Sequence, residues 1–166
     1  IRDRNWPEEI NITKKTLDVD LDIETNFGPK NIKDNIDSKP EFVWMNAESI
    51  GDNDPALNYY SNLPAVFIFD KPLLNYLQLS TKRIIFLLDC LRELANKRST
   101  QVYLDNPIEY LKNKNFASTF AAVPKYKKIT RVNIPTTEFP SVRLVKPINF
   151  YPSSYSSWKK RIELNI

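Results

Sequence analysis

The sequence predicts a three-layer, Rossmann-like α/β domain with about five parallel strands, preceded by an N-terminal arm. Three observations predict it. Residues 41–46 and 65–69 carry the short apolar runs Phe42-Val43-Trp44-Met45 and Ala65-Val66-Phe67-Ile68-Phe69, each bounded by turn residues. Runs that are apolar throughout suit strands covered on both faces. Between them, Asp52-Asn53-Asp54-Pro55-Ala56-Leu57 has the form of a capped helix start. After them, Ser80 opens the longest amphipathic pattern in the chain. Two apolar strands joined by a helical crossover form a parallel βαβ unit, which presents ligands at the carboxyl ends of its strands.

Taken in order, residues 17–24 alternate strictly, with Leu17, Val19, Leu21 and Ile23 on one side and acids on the other. Period two predicts an edge strand with one solvated face. Its repeated carboxylates discourage further strand pairing, and a wet face explains them better than a cation site does. Residues 26–40 are polar and contain Gly28, Pro29 and Pro40, so a linker is expected there. The arm and linker therefore cover 1–40 and the domain 41–166. Asp54 or Asn53 caps the first helix with Pro55 in its first turn, and Asn62 and Pro64 end it near Tyr60. Residues 73–79 suggest a short helical turn. The helix from Ser80 to about Lys97 places Ile84, Leu87, Leu88, Leu91, Leu94 and Ala95 on one stripe. Glu93 and Lys97 form a favourable pair one turn apart. A third strand is expected over 101–104, a helix from Pro107 to about Lys114, and a fourth strand over 119–123. Beyond Pro124 the pattern weakens. Residues 128–134 and 142–145 read as strands, residues 158–164 as a terminal helical turn, and repeated prolines exclude long helices.

Composition excludes whole classes of chemistry. The 166 residues contain no histidine, so no Ser-His-Asp triad and no His metal ligand exists. The lone Cys90 excludes thiolate zinc sites and internal disulfides, and suits a reducing cytosolic setting. Two glycines, Gly28 and Gly51, cannot form a dinucleotide or phosphate loop. Hydrophobic residues make up 42% of the chain, enough for a core. No apolar run approaches the roughly 18–20 residues that span a bilayer. The chain begins at Ile1 and not at methionine, so a preceding portion is expected, and no targeting signal is visible. Charge is uneven: residues 112–166 hold eleven Lys/Arg against two Asp/Glu, while the whole chain nets +4. Such a segment attracts anions, although a solvated lysine-rich surface has the same composition.

The order of residues from 41 to 93 resembles the N-terminal domain of the DNA photolyase/cryptochrome family. That domain opens with Val-Trp-Phe-Arg, then Asp-Leu-Arg, then His-Asp-Asn-x-Ala-Leu. The same register here is Val43-Trp44-Met45-Asn46, Glu48-Ser49-Ile50 and Asp52-Asn53-Asp54-Pro55-Ala56-Leu57. The family's next strand ends in Asp, matched by Phe67-Ile68-Phe69-Asp70. Its second helix carries an Arg before a Leu-rich run, matched from Arg83 to Leu94. The segment from Leu77 to Ile84 looks like short cyanobacterial photolyase-related proteins that lack the flavin domain. The likeness covers roughly residues 41–125, with a weaker echo from Phe150 to Trp158. Both arginines of the opening motif are absent, replaced by Asn46 and Ile50, and Glu48 stands for the family Asp. The resemblance implies an α/β domain that holds an antenna pigment (a folate, a deazaflavin or a flavin). It also implies service to a separate FAD-binding subunit in DNA repair or light response. Photorepair needs a flavin domain that this length cannot contain, so the chain alone is expected not to be catalytic.

A ligand in this topology would sit above the carboxyl ends of the strands. Trp44, Asn46 and Glu48 follow the first strand there, Asp70 and Lys71 the second, and the loop around Tyr126 the fourth. Arg83 matches a family position that lines the antenna pocket. Asn46 would bond a ring edge, Arg83 a phosphate or carboxylate, and Tyr126 would stack. The plain alternative is that Asp70 merely ends its strand, Arg83 pairs with a neighbouring carboxylate, and Trp44 belongs to the core. A rival function is nucleic-acid or protein binding by Lys125, Lys127, Lys128 and Arg131, interleaved with aromatics and independent of any chromophore.

Overall fold

The structure, a computed structural model, describes residues 28–35, 38–77, 79–145 and 154–162. The chain divides into two compact units, Glu24–Arg143 and a second that groups Ile1–Ile23 with Leu144–Ile166. The alternating segment 17–24 lies outside the described residues.

The larger unit is an α/β fold on a six-stranded sheet. Its elements in chain order are β1 (Lys33–Asp34), β2 (Phe42–Met45), α1 (Pro55–Tyr59), β3 (Ala65–Asp70), α2 (Lys71–Leu77) and α3 (Thr81–Ala95). There follow β4 (Thr100–Asp105), α4 (Pro107–Tyr110), β5 (Phe116–Thr119), α5 (Pro124–Val132) and β6 (Thr137–Phe139). The strands run β4-β3-β2-β5-β6-β1 across the sheet. Strands β2 to β6 are parallel, and β1 adds to β6 antiparallel, with Lys33 opposite Glu138. Chain order therefore reverses between β2 and β5, which makes that boundary the topological switch point of a Rossmann-like layout.

Period two along β2 sends its side chains to opposite faces, and both faces are covered. Phe42 and Trp44 join Val66, Ile68, Phe116, Phe120, Tyr126 and Ile129 in one core. Val43 and Met45 join Ala56, Leu57, Phe67, Leu91, Leu94 and Phe139 in the other. The Asp54 and Ser80 caps read in the sequence are made, and Asn106 caps the helix that Pro107 starts. Asp54 Oδ1 accepts from the Leu57 N–H at 2.9 Å, Asn106 Oδ1 from Ile108 at 3.1 Å, and Ser80 Oγ from Arg83 at 3.4 Å. Lys97 pairs with Glu93 at 3.7 Å and also with Asp52.

Several expectations are corrected. Residues 33–34, inside the stretch expected to be a linker, form β1. Gly28 and Pro29 just before it are buried, and Gly28 packs under the Phe120 ring with φ at 76°. The fourth strand is Phe116–Thr119 and not 119–123. Asn113 in the left-handed region (φ 58°) ends the single turn of α4 and brings Asn115 beside Glu41, whose N–H it accepts at 2.9 Å. Residues 128–134, expected as a strand, mostly belong to helix α5. Pro124 starts that helix, and Tyr126 and Ile129 three apart supply its buried stripe. Residues 142–145, expected as a strand, form none, and only Val145 among them makes a single bridge. On α3 only Leu91 and Leu94 of the expected stripe are buried, while Leu88 is 42% exposed and Ala95 is exposed.

In the second unit, helix α6 (Tyr155–Lys159) starts before the position expected from sequence. Ser154 caps it by accepting from the Ser157 N–H at 3.2 Å. No described helix is long and apolar enough to cross a membrane.

Candidate ligand site at the carboxyl ends of the strands

Strand β2 ends at Met45 and β3 at Asp70, and the chain leaves both at the same edge of the sheet. A cavity of about 240 Å³ opens there. Of the residues predicted from sequence, Trp44, Asn46, Glu48, Asp70, Arg83 and Tyr126 all line it. Lys71 is exposed as the first residue of α2 and is not among the lining residues. Phe67, Phe69, Leu73, Leu74, Leu79 and Leu87 make most of the remaining wall apolar.

The side chains differ in how much they have left to offer. Trp44 is 3% exposed and Tyr126 is 2% exposed. Their rings stack on one another with centroids 5.5 Å apart and planes 4° apart. The Tyr126 hydroxyl donates to Glu138 Oε1 at 2.9 Å. Burial, reinforced by the Glu138 charge, pushes that hydroxyl far above the usual tyrosine range, so it remains a donor. Tyr126 is therefore stacked within the protein and forms cavity wall. Asn46 is also engaged at both ends of its amide. Its Nδ2 donates to the Thr119 carbonyl at 3.1 Å, and its Oδ1 accepts from the Glu48 N–H at 2.9 Å. It fastens the end of β2 to the end of β5. Asp70 caps α2 by accepting from the Leu73 N–H at 3.0 Å and pairs with Lys125 at 3.3 Å. Arg83 is exposed on the first turn of α3, and its guanidinium has no carboxylate partner among the described residues. The Glu48 carboxylate is exposed at the rim.

A second cavity of about 540 Å³ lies at the switch point itself, lined by residues 48–55, residues 119–123, Ser141 and Val142. Its wall holds a pair that sequence reasoning did not assemble. The Ala56 N–H donates to Thr119 Oγ1 at 3.2 Å, and that hydroxyl donates to Asp54 Oδ1 at 2.9 Å. Asp54 was legible as a helix cap, but nothing local marks Thr119, 65 residues away, as its partner. Burial raises the Asp54 pKa above its ordinary 3.8, outweighing the hydrogen bonds from the Leu57 N–H and the Thr119 hydroxyl that lower it.

No protein-family model, curated protein or solved structure matches this chain. The photolyase resemblance thus rests on the residues quoted for it.

The four cations of the rival function do not share one surface. Lys125 turns to Asp70 at the first cavity, whereas Lys127, Lys128 and Arg131 surround a separate depression of about 250 Å³ with Ala122 and Pro124. Among the described residues, no group of three Asp, Glu, Cys or His side chains is placed to hold a metal ion.

Proposed function

We propose that this chain is a photolyase-related α/β domain with one of two accessory tasks. It holds an antenna-type or nucleotide-like ligand above the carboxyl ends of β2 and β3, or it serves a separate flavin-binding subunit. It has no catalysis of its own. The observation that carries this proposal is the convergence of Trp44, Asn46, Glu48, Asp70 and Arg83 on one largely apolar cavity. Arg83 adds the decisive detail, because it is a cation at an apolar cavity with no carboxylate partner among the described residues. A guanidinium presents a planar fork of N–H donors that matches a carboxylate or a phosphate of a ligand.

The residues fit a flat ring system bearing a single anionic group. The cavity, at about 240 Å³, is just below the roughly 300 Å³ at which small-molecule pockets begin. It therefore takes the ring portion of a folate, deazaflavin or flavin and leaves the rest of the molecule outside. With Asn46 and Ile50 in place of arginines, and Lys125 bound to Asp70, a polyphosphate would meet too little positive charge. A bound antenna would supply absorption of near-ultraviolet or blue light. The chain's own residues supply the apolar walls, the Arg83 charge and the rigid Asn46 and Asp70 tethers.

The test is an absorption spectrum of freshly purified protein, followed by titration with a reduced folate, a deazaflavin and flavin mononucleotide. Binding by one of them, weakened about tenfold (~1.4 kcal/mol) by Arg83→Ala, is the expected result. A colourless protein that binds none of the three, and shows no association with a flavin-binding subunit, refutes the proposal. Reversal of pyrimidine dimers under blue light by the purified chain alone would refute its accessory character.

A further inference from the structure

We infer that one face of α5 is a phosphate-backbone contact surface for double-stranded nucleic acid, independent of the ligand cavity. Helix α5 is nine residues long and two-sided. Tyr126 and Ile129 are buried, and Lys125 is tied to Asp70. The remaining cations, Lys127, Lys128 and Arg131, fall at positions i, i+1 and i+4, so they share the opposite face. They surround a depression of about 250 Å³ whose other walls are Ala122 and Pro124. None of the three has a carboxylate partner among the described residues. Three like charges held on one short helix repel each other, and an anionic partner relieves that repulsion.

The chemistry of the face selects the partner. It presents cations over small apolar side chains, with no amide, hydroxyl or carboxylate lining the depression. Its cations can reach an anion or a guanine edge, but no side-chain acceptor is there to read the base edges that donate. Tyr126, the aromatic that interleaves these cations in sequence, is buried against Trp44 and cannot stack on an unpaired base. Point charges without acceptors or stacking platforms suit a regular array of phosphates. Binding would be independent of sequence and driven by counterion release.

The experiment measures affinity for a short labelled DNA duplex over a salt series, with the full chain. Three phosphate contacts give a log–log slope steeper by about 2.7, or about 40-fold in affinity between 50 and 200 mM salt. Lys127→Ala/Lys128→Ala/Arg131→Ala should flatten the slope by that amount, and Arg131→Ala alone by about 0.9. Lys82→Ala, on the exposed surface of α3, should leave it as in the native chain. A duplex of unrelated sequence should bind alike. A native slope near zero overturns the inference without reference to folding of any variant, and a slope unchanged in the triple variant overturns it as well. Tighter capture of polyglutamate or anionic vesicles than of the duplex, lost in the triple variant, also overturns it and assigns the face to an acidic protein or a lipid surface.

Discussion

The Thr119 hydroxyl works in both directions at once. It accepts from the Ala56 N–H and donates to Asp54, so it ties the start of α1 to the end of β5 across the switch point. Thr119→Val keeps the shape and removes the oxygen. It leaves a buried N–H and a buried carboxyl short of a partner, and chemical denaturation should show a loss of about 1–3 kcal/mol. Asp54 gives a pH signature with a definite sign. Its native pKa lies above the unfolded value of 3.8. Just above that value the native state keeps a proton that the unfolded chain has released, so this group's contribution to stability falls as pH rises. Asp54→Asn removes the titration. The stability difference between native chain and variant should therefore decline as pH rises from about 4, and a flat difference would show that Asp54 titrates normally. Gly28 is the other sensitive residue. A methyl group there would meet the Phe120 ring, and φ at 76° strains any side chain. Gly28→Ala should cost about 2 kcal/mol, read as a lower denaturation midpoint.

At the scale of elements, most starts were legible and several ends were not. Helix starts are written locally, by Asp54-Pro55, Ser80 and Asn106-Pro107, because a capping side chain bonds a backbone N–H within three residues. The fourth strand was misplaced for the opposite reason. Phe116-Ala117-Ser118-Thr119 is short and half polar, yet Ser118 is buried because β2 pairs beside it. That burial belongs to tertiary structure and leaves no local trace. Helix α5 was misread because Ile129, Thr130 and Val132 are β-branched. Its helical spacing outweighs that propensity, and the Thr130 hydroxyl is accommodated by donating to the Tyr126 carbonyl at 3.0 Å. Candidate site residues fared unevenly on the same grounds. Chain order places Trp44, Asn46 and Asp70 at strand ends. It does not disclose that Asn46 is spent on Thr119 and Glu48, or that Lys71 does not line the cavity. At this scale Arg98 also acts as a fastener. Its guanidinium donates to the Leu57, Tyr60 and Leu63 carbonyls at 2.9, 2.7 and 2.6 Å, holding the loop that leads from α1 into β3.

At the scale of the whole molecule, parallel strands oblige every connection to cross over, and their carboxyl ends collect loops from distant parts of the chain. Both cavities and the basic face of α5 lie on segments that follow β2, β3 and β5. This architecture was legible because continuous apolar runs separated by capped helices admit few other arrangements. Strands β1 and β6 were not legible, β6 falling between the stretches 128–134 and 142–145 that were expected to be strands. Lys33-Asp34 carries no apolar pattern, and its place is fixed by pairing with a strand more than a hundred residues later. The two proposed activities are separable at this scale. Arg83→Ala should weaken a chromophore without changing the salt slope on DNA, while the α5 triple variant should do the reverse. A common loss in both assays would place the two functions on one surface.

The pairing of Lys33-Asp34 with Thr137-Glu138 has a consequence in time. During synthesis the earliest described strand emerges long before the only edge it joins exists. The sheet can therefore be finished only after the last described strand has left the ribosome. Loop closure over so many residues is slow, and until it happens Gly28, Pro29 and the face they cover remain open to solvent. A nascent chain cut short before Thr137 would thus remain vulnerable to proteases, however well its central strands had already paired.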